Sequence, residues 1–424
     1  MESYAIIGFG TAGYHAAKAI READRTGRID VYSNTGKAPY NPMLTTYYVS
    51  GKLSYEAMFP FGSLEEIKKE LDLNMIDRQV TGLKAREHVV ETEGEDSGPY
   101  DRILVSTGAF AIAPRVAGLK EEDCFLMRTD EDALRLRERL DRQDVKSDVV
   151  VGASMVGIKV VELLVNRGIQ TVLADLAPYM FPTAAYENVA HEIESRLKAR
   201  GVGLYFQNTV TEVKNAGGSQ VAVMTGRDEV PADIVVLCIG TRANIGFVDP
   251  EEVKIGKAIV VNEQMETSVP GVFAAGDCCE GNNLETGKTQ IIGLWANANY
   301  KGTVSSNHMS GGRKKFDGNI LHNITHFMDM DFIGFGDNRA QGTVLTSGVL
   351  GKGLYIKVVC RDHEIVGVNI LDNYRISGII KNYMLRLLQG GGNELTVFQK
   401  GMLIQAGMDE SFIDRLEETV SGTN

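Results

Sequence analysis

The sequence predicts an α/β fold: two Rossmann-like dinucleotide-binding domains followed by a smaller C-terminal α+β domain. Three observations predict it. Gly8-Phe9-Gly10-Thr11-Ala12-Gly13 lies between an apolar strand at 4–7 and a helix beginning with Tyr14. Gly152-Ala153-Ser154-Met155-Val156-Gly157 lies between a strand at 148–151 and a helix at 158–166. From about residue 320 the texture changes to hairpins of short strands.

The first signature is a phosphate cradle by construction. Gly10 lets the backbone approach a phosphate because no Cβ intervenes, and Gly13 lets the helix pack on its strand. With Gly8 they form the expected contacts of one pyrophosphate. The helix start presents free N–H groups and about half a positive charge toward it. The second signature is looser, with Ala153 and Ser154 where glycines are common; Gly152, Ser154 and Gly157 are its expected nucleotide contacts. Its support is Asp175, at the end of the next strand, 170–175. A carboxylate there accepts hydrogen bonds from an adenosine ribose diol and repels a 2′-phosphate. No Arg or Lys follows in 176–180, so NADH is expected over NADPH. Two such sites in one chain imply two dinucleotides with electrons passing between them.

The remaining elements follow in order. A strand at 29–32 is followed by the turn-rich Ala38-Pro39-Tyr40-Asn41-Pro42. A short amphipathic helix is expected at 64–71, and strands at 86–92 and 101–106, the latter running into Gly108. Residues 129–143 read as a charged helix with a solvated face. The second domain continues with a helix near 186–200, strands near 202–224 and a strand at 233–239 stopping at Gly240. Residues 272–277 read as a buried strand ending on Asp277, and a helix is expected from about 292 to 308. A hairpin pairs 354–359 with 365–370, and helices near 374–389 and 409–420 close the chain. The expected domains are 1–113 with 245–320, 114–244, and 321–424.

Composition narrows the class. The 424 residues carry 56 acidic and 44 basic side chains, a net charge of −12, which argues against a general nucleic-acid or anionic-membrane surface. The five cysteines show no C-x-x-C spacing, and the adjacent Cys278 and Cys279 suit packing rather than a bridge. This usage suits a reducing cytoplasm, and the N-terminus shows no secretory leader, so a cytoplasmic protein is expected. No apolar run approaches membrane-spanning length. His322 and His326 lack an acid or cysteine to complete a metal site, and none is expected; His15, inside the first helix, is expected to be structural.

On these motifs the chain resembles the pyridine nucleotide–disulfide oxidoreductase superfamily of two-dinucleotide flavoproteins over nearly its whole length. The most specific element is Thr267-Ser268-Val269-Pro270-Gly271-Val272-Phe273-Ala274-Ala275-Gly276-Asp277. In the family this strand delivers an aspartate to the FAD ribityl chain, which implies that role for Asp277. Ser106-Thr107-Gly108 is similar to the family's A-T-G turn beside FAD, implicating Thr107 and Gly108. Cys238-Ile239-Gly240-Thr241-Arg242-Ala243-Asn244 is similar to its I-G-x-x-P-N element, with Ala243 in place of proline and Gly240 at the NAD site. Pro39-Tyr40-Asn41-Pro42-Met43-Leu44 and Leu294-Trp295-Ala296-Asn297-Ala298 are similar to rubredoxin reductases, oxygenase ferredoxin reductases and the NADH-binding part of nitrite reductases. The resemblance places Trp295 at the flavin edge, at the start of a helix whose positive end stabilises reduced flavin.

Three departures shape the functional expectation. No cysteine lies between about 38 and 50, so a flavin-facing redox thiol is missing. A lysine–glutamate pair that relatives keep beside the flavin is replaced by Thr46 and Lys159, and Lys159 is expected to tune the flavin electrostatically. Ser33 or Asn34 stands where many relatives hold the FAD ribose with glutamate. The resemblance therefore implies an FAD-dependent NADH oxidoreductase, passing electrons to an iron–sulfur protein or a partner subunit. The alternatives are a self-contained NADH oxidase or peroxidase, and a flavoprotein scaffold or regulatory subunit with a degenerate NAD site. Expected partners are NADH, that electron acceptor and a second copy as a homodimer.

Overall fold

Parallel strand pairing set by strand–loop–helix units organises most of the chain. The computed structural model describes residues 1–216 and 219–422. Along the chain run β1 (Ser3–Ile7), α1 (Thr11–Ala23), β2 (Arg28–Tyr32), α2 (Leu64–Leu71), β3 (Leu73–Ile76) and β4 (Arg102–Val105). Next come β5 (Cys124–Leu126), α3 (Asp130–Asp141), β6 (Ser147–Val151), α4 (Met155–Asn166), β7 (Gln170–Asp175), α5 (Glu187–Ala199), β8 (Gly203–Phe206) and β9 (Ile234–Leu237). Then come β10 (Val272–Ala274) and α6 (Trp295–Met309). The C-terminal part holds β11 (His322–Phe327), β12 (Met330–Gly336), β13 (Thr343–Ser347), β14 (Tyr355–Arg361), β15 (Glu364–Leu371), α7 (Ser377–Leu388), α8 (Val397–Gln405) and α9 (Glu410–Ser421). These fall into two compact units. One gathers residues 1–110, 128–130 and 241–319; the other gathers 111–127, 131–240 and the chain from Ile320 onward.

The first unit is built on a parallel sheet of order β10–β4–β1–β2–β3. Tyr4, Ala5, Ile6 and Ile7 are all buried, as a parallel strand covered on both faces requires. α1 buries Ala12, Ala16, Ala17 and Ile20 at helical spacing. Its small residues let α6 come close: a Cβ at Gly302 would stand 2.3 Å from the Ala12 carbonyl oxygen. Because β1 pairs with β2 on one side and β4 on the other, strand order reverses at β1. A crevice opens at its carboxyl end, where Gly8 follows.

The second unit repeats this plan in a parallel sheet of order β8–β7–β6–β9–β5. Strand order reverses at β6, where Gly152 follows. The unit also contains the antiparallel sheet β11–β12–β15–β14–β13. Two of its hairpins turn with φ positive at both central residues, Met328 (46°) with Asp329 (60°) and Asp362 (50°) with His363 (66°). Such turns match the twist of the flanking strands. Two buried asparagines fasten the segment before α5 to this sheet. Asn338 Nδ2 donates to the Pro182 carbonyl at 3.0 Å and to that of Ala185 at 2.5 Å. Asn369 Nδ2 donates to the Ala184 carbonyl at 2.8 Å, and its Oδ1 accepts from the Tyr186 N–H at 2.7 Å.

Three elements differ from the sequence expectation. α6 begins at Trp295, because the chain through Leu294 is extended. The strand expected at 86–92 is interrupted: His88 turns left-handed (φ 57°), its ring held by the Tyr100 and Pro270 carbonyls, and the strand runs only from Val89 to Thr92. α8 was not expected at all; Thr396 and Gln399 form a capping box at its start.

Candidate functional site

Each unit holds one glycine loop, and the two loops are finished differently. In the first, Gly8 takes φ 94°, and a Cβ there would meet the Ser106 carbonyl oxygen at 2.7 Å. A Cβ at Gly13 would stand 2.4 Å from the Gly8 oxygen, so Gly13 brings α1 onto β1. The Ser106 hydroxyl donates to the Gly8 carbonyl at 2.8 Å and holds the loop shut from below. At Gly10 the situation reverses: a Cβ there would meet nothing within 4 Å. Gly10 is also the N-cap of α1, and no side chain caps the helix. An open space thus faces the uncapped first turn of a thirteen-residue helix.

Around this loop the same unit gathers further polar groups. Asp277 follows β10, and Arg128 reaches it at 2.8 Å while donating to the Ala109 carbonyl at 3.1 Å. Asp130, two residues on, is buried and accepts from Lys37 Nζ at 2.9 Å and from the Tyr55 hydroxyl at 2.6 Å. The Arg128–Asp130 segment is therefore fastened to the first unit by both of its charged side chains. Thr107 donates to the Asn244 carbonyl at 2.5 Å, and Gly108 (φ 66°) has open space where a Cβ would be. Thr46 is buried in the short helix Thr45–Val49. Ser33 bonds the Thr35 hydroxyl at 3.2 Å, and Asn34 donates to Gln79 at 2.6 Å. Trp295 opens α6 with no side-chain cap, its ring stacked on Phe61 at 6.0 Å. Its indole N–H is buried without a hydrogen-bond partner among the described residues, as is the Gln290 amide nitrogen.

In the second unit the loop is fastened more tightly. A Cβ at Gly152 (φ 114°) would meet the Cys238 oxygen at 2.3 Å, and one at Gly157 would meet the Gly152 oxygen at 1.9 Å. Ser154 caps α4, accepting from the Gly157 N–H at 3.1 Å and donating to the Cys238 carbonyl at 3.0 Å. Both oxygens of Asp175 accept backbone N–H groups, from Ala153 at 2.6 Å and Ala177 at 2.7 Å. Asp175 thereby braces the loop from the strand end. Gly240 takes φ 106°, and Val156, Leu176 and Ile239 are large apolar side chains left exposed around the loop. Exposed apolar groups around a glycine loop suit the flat faces of a nucleotide.

Lys159 is committed within this unit. It forms an ion pair with Glu162 and donates to the His326 carbonyl at 2.8 Å, while Glu162 accepts from the Met328 N–H at 3.0 Å. The pair ties α4 to the tip of the β11–β12 hairpin. The flavin-tuning role expected of Lys159 must therefore compete with this structural tie, and Glu162 offsets its charge.

None of the thiols is activated. Cys238, Cys278, Cys279 and Cys360 are buried and Cys124 is half-buried. Burial pushes Cys238, Cys278 and Cys360 up to about 12, and raises Cys124 and Cys279 as well. Among the described residues no group of His, Cys, Asp and Glu is arranged to hold a metal, and no helix is long and apolar enough to cross a membrane.

The pyridine nucleotide-disulphide oxidoreductase family model matches residues 2–302. The chain belongs to that family. FAD and NADH are its typical cofactors, and the chain is an oxidoreductase. It is 27% identical over 387 residues to a CoA-dependent NAD(P)H sulfur oxidoreductase of Pyrococcus abyssi, covering 90% of this chain and 85% of that one. It is 25% identical over 390 residues to the epsilon subunit of the NADH-dependent phenylglyoxylate dehydrogenase of Aromatoleum evansii, covering 90% and 91%. The fold matches the water-forming NADH oxidase of Lactobacillus brevis with a TM-score of 0.87, at 18% identity, over 100% of this chain and 99% of that one.

The first unit's donors fit FAD. Gly10 and the uncapped α1 would suit a pyrophosphate, Asp277 would offer an acceptor to ribityl hydroxyls, and the orphaned Trp295 N–H calls for an acceptor. When bound, FAD supplies a ring that accepts a hydride and releases electrons singly. Arg128, Lys37, Tyr55 and Asp130 were not foreseen; a single Arg ahead of a charged helix carries no pattern of its own.

Proposed function

We propose that the chain is an electron-transfer reductase that passes electrons from NADH through FAD to an iron–sulfur protein or a partner subunit of a larger oxidoreductase. In this reading FAD is held in the first unit by Gly8, Gly10, Gly13, Thr107, Gly108, Asp277 and Trp295, with Ser33, Asn34 and Thr46 around it. Arg128 joins this set. NADH is held in the second unit by Gly152, Ser154, Gly157, Asp175 and Gly240. The chain's own work is positioning and electrostatics: the α1 N-terminus takes anionic charge, and the α4 loop holds the nicotinamide carrier in place.

One observation carries the reading: every thiol is buried or half-buried and shifted toward its protonated form, and the segment from Ala38 to Ser50 contains none. Disulfide or persulfide chemistry needs an accessible thiolate. With that route closed, reduced flavin must deliver its electrons directly. The Aromatoleum evansii relative is one subunit of a larger dehydrogenase, which supports a partner polypeptide as the receiver.

The test is steady-state turnover with NADH and three acceptors in separate arms. A small iron–sulfur protein such as rubredoxin should be reduced rapidly, and oxygen and CoA persulfide slowly. Oxygen turnover as fast as rubredoxin reduction would instead identify an oxidase.

A further inference from the structure

Lys301, on α6, is fully buried, and its head group meets no carboxylate among the described residues. A cationic side chain taken from water without a carboxylate is costly, so its surroundings need an account. Its polar partners come from one residue, and a ring lies beyond them. Nζ donates to the Cys279 carbonyl at 3.2 Å and lies 3.6 Å from Cys279 Sγ, with the Phe316 ring centroid at 5.8 Å. The space is reserved for this head group: a Cβ at Gly281 would come within 3.1 Å of Nζ and 3.0 Å of Cε. The neighbouring Cys278 is equally buried, but its Sγ lies against backbone, at 3.3 and 3.2 Å from the carbonyls of Val105 and Ala275 and near the Gly108 N–H, and has no hydrogen bond to Lys301. The fold thus brings the Lys301 nitrogen against one thiol and not against its neighbour.

We propose that Cys279 and Lys301 are an oxidative crosslinking site, joined by peroxide through a single oxygen as a sulfur–oxygen–nitrogen bridge. The step balances with two molecules of hydrogen peroxide. The first oxidises the Cys279 thiol to a sulfenic acid and leaves as water. The second takes two electrons from the lysine nitrogen as the sulfenic oxygen bonds to it. The S–H, O–H and one N–H proton leave with the peroxide oxygens, giving three waters in all. The Lys301 nitrogen stands 3.6 Å from Cys279 Sγ, within reach of the sulfenic oxygen once it forms. The bridge would join the segment just after Asp277 to α6, two elements of the candidate flavin site. A core with no catalytic thiol would thereby acquire a covalent lock under peroxide.

The experiment uses the purified holoprotein, treated with hydrogen peroxide folded or after unfolding in urea, then digested with trypsin and weighed. Cleavage at Lys257, Lys288 and Arg313 leaves Cys279 and Lys301 on separate fragments unless they are linked. The expected product joins 258–288 to 289–313, uncut at Lys301. It is heavier by one oxygen and lighter by two hydrogens, appears only from folded protein, and separates under dithiothreitol. In Lys301→Gln, Cys279 should instead proceed to sulfinic acid. The proposal is overturned if Cys279 of treated, folded protein alkylates as fully as untreated. It is equally overturned if Cys279 is recovered as sulfinic acid with Lys301 cleaved normally, or if the fragments join equally from unfolded protein.

Discussion

Replacing Gly10 with alanine separates holding the fold from holding the cofactor. A Cβ at Gly10 meets nothing within 4 Å, and its φ of −80° is open to any residue. Alanine restricts the unfolded chain, which stabilises by about 0.4–1 kcal/mol. It is also the poorer helix N-cap, by about 0.5–1 kcal/mol. The two terms cancel to within about 0.5 kcal/mol, so the fold should be indifferent. The methyl group occupies the space where a pyrophosphate must approach the first turn of α1. Losing one charge-assisted hydrogen bond costs about 1.5–3 kcal/mol. The dissociation constant for FAD should therefore rise about 10- to 150-fold. The assay pairs FAD titration of the apoprotein with urea unfolding of the same sample. Unchanged unfolding with an FAD affinity within twofold of the wild type would refute the assignment of this loop.

Other outcomes follow from the same geometry. Gly157→Ala should cost the second unit about 1–3 kcal/mol, because its Cβ would stand 1.9 Å from the Gly152 oxygen, while FAD affinity stays unchanged. Chemical unfolding and flavin titration check both halves. Asp148 is fully buried on β6, where burial pushes its carboxyl up to about 8 against the pull of the Thr171 hydroxyl. The native state then keeps a proton that the unfolded chain releases above its ordinary value of 3.8. The stability this contributes is complete below that value and drains away as pH climbs to about 8. Asp148→Asn should therefore gain on the wild type in urea midpoint as pH rises, levelling off above about 8; a pH-independent difference would contradict the protonated state. Lys159→Met leaves Glu162 without its cation and should cost about 3 kcal/mol, with little change in flavin potential. Thermal unfolding and spectroelectrochemistry read the two quantities, and a large potential shift with intact stability would restore the tuning role.

What the sequence made legible was local. The strand–glycine–helix units announced themselves because Gly8, Gly13, Gly152 and Gly157 answer to backbone atoms only a few residues away or at the end of a neighbouring strand. The capping box at Thr396 was equally readable but lay in a segment with no apolar rhythm, and α8 was missed. Side-chain partners distant in sequence stayed hidden. Nothing near Arg128 foretells Asp277, nor does α4 foretell the His326 carbonyl that receives Lys159. Asp175 was read as a ribose ligand from its place at a strand end; the same place lets it brace the Ala153 and Ala177 N–H groups, a role that only the backbone reveals.

The account rests most heavily on flavin being the chain's sole electron store. Anaerobic titration of the purified yellow protein with NADH, followed by flavin absorbance, counts that store. One NADH should bleach each flavin completely, two electrons per chain, with no further uptake. A requirement for two NADH per flavin would reveal a second two-electron store, such as a redox-active thiol pair, and contradict the claim.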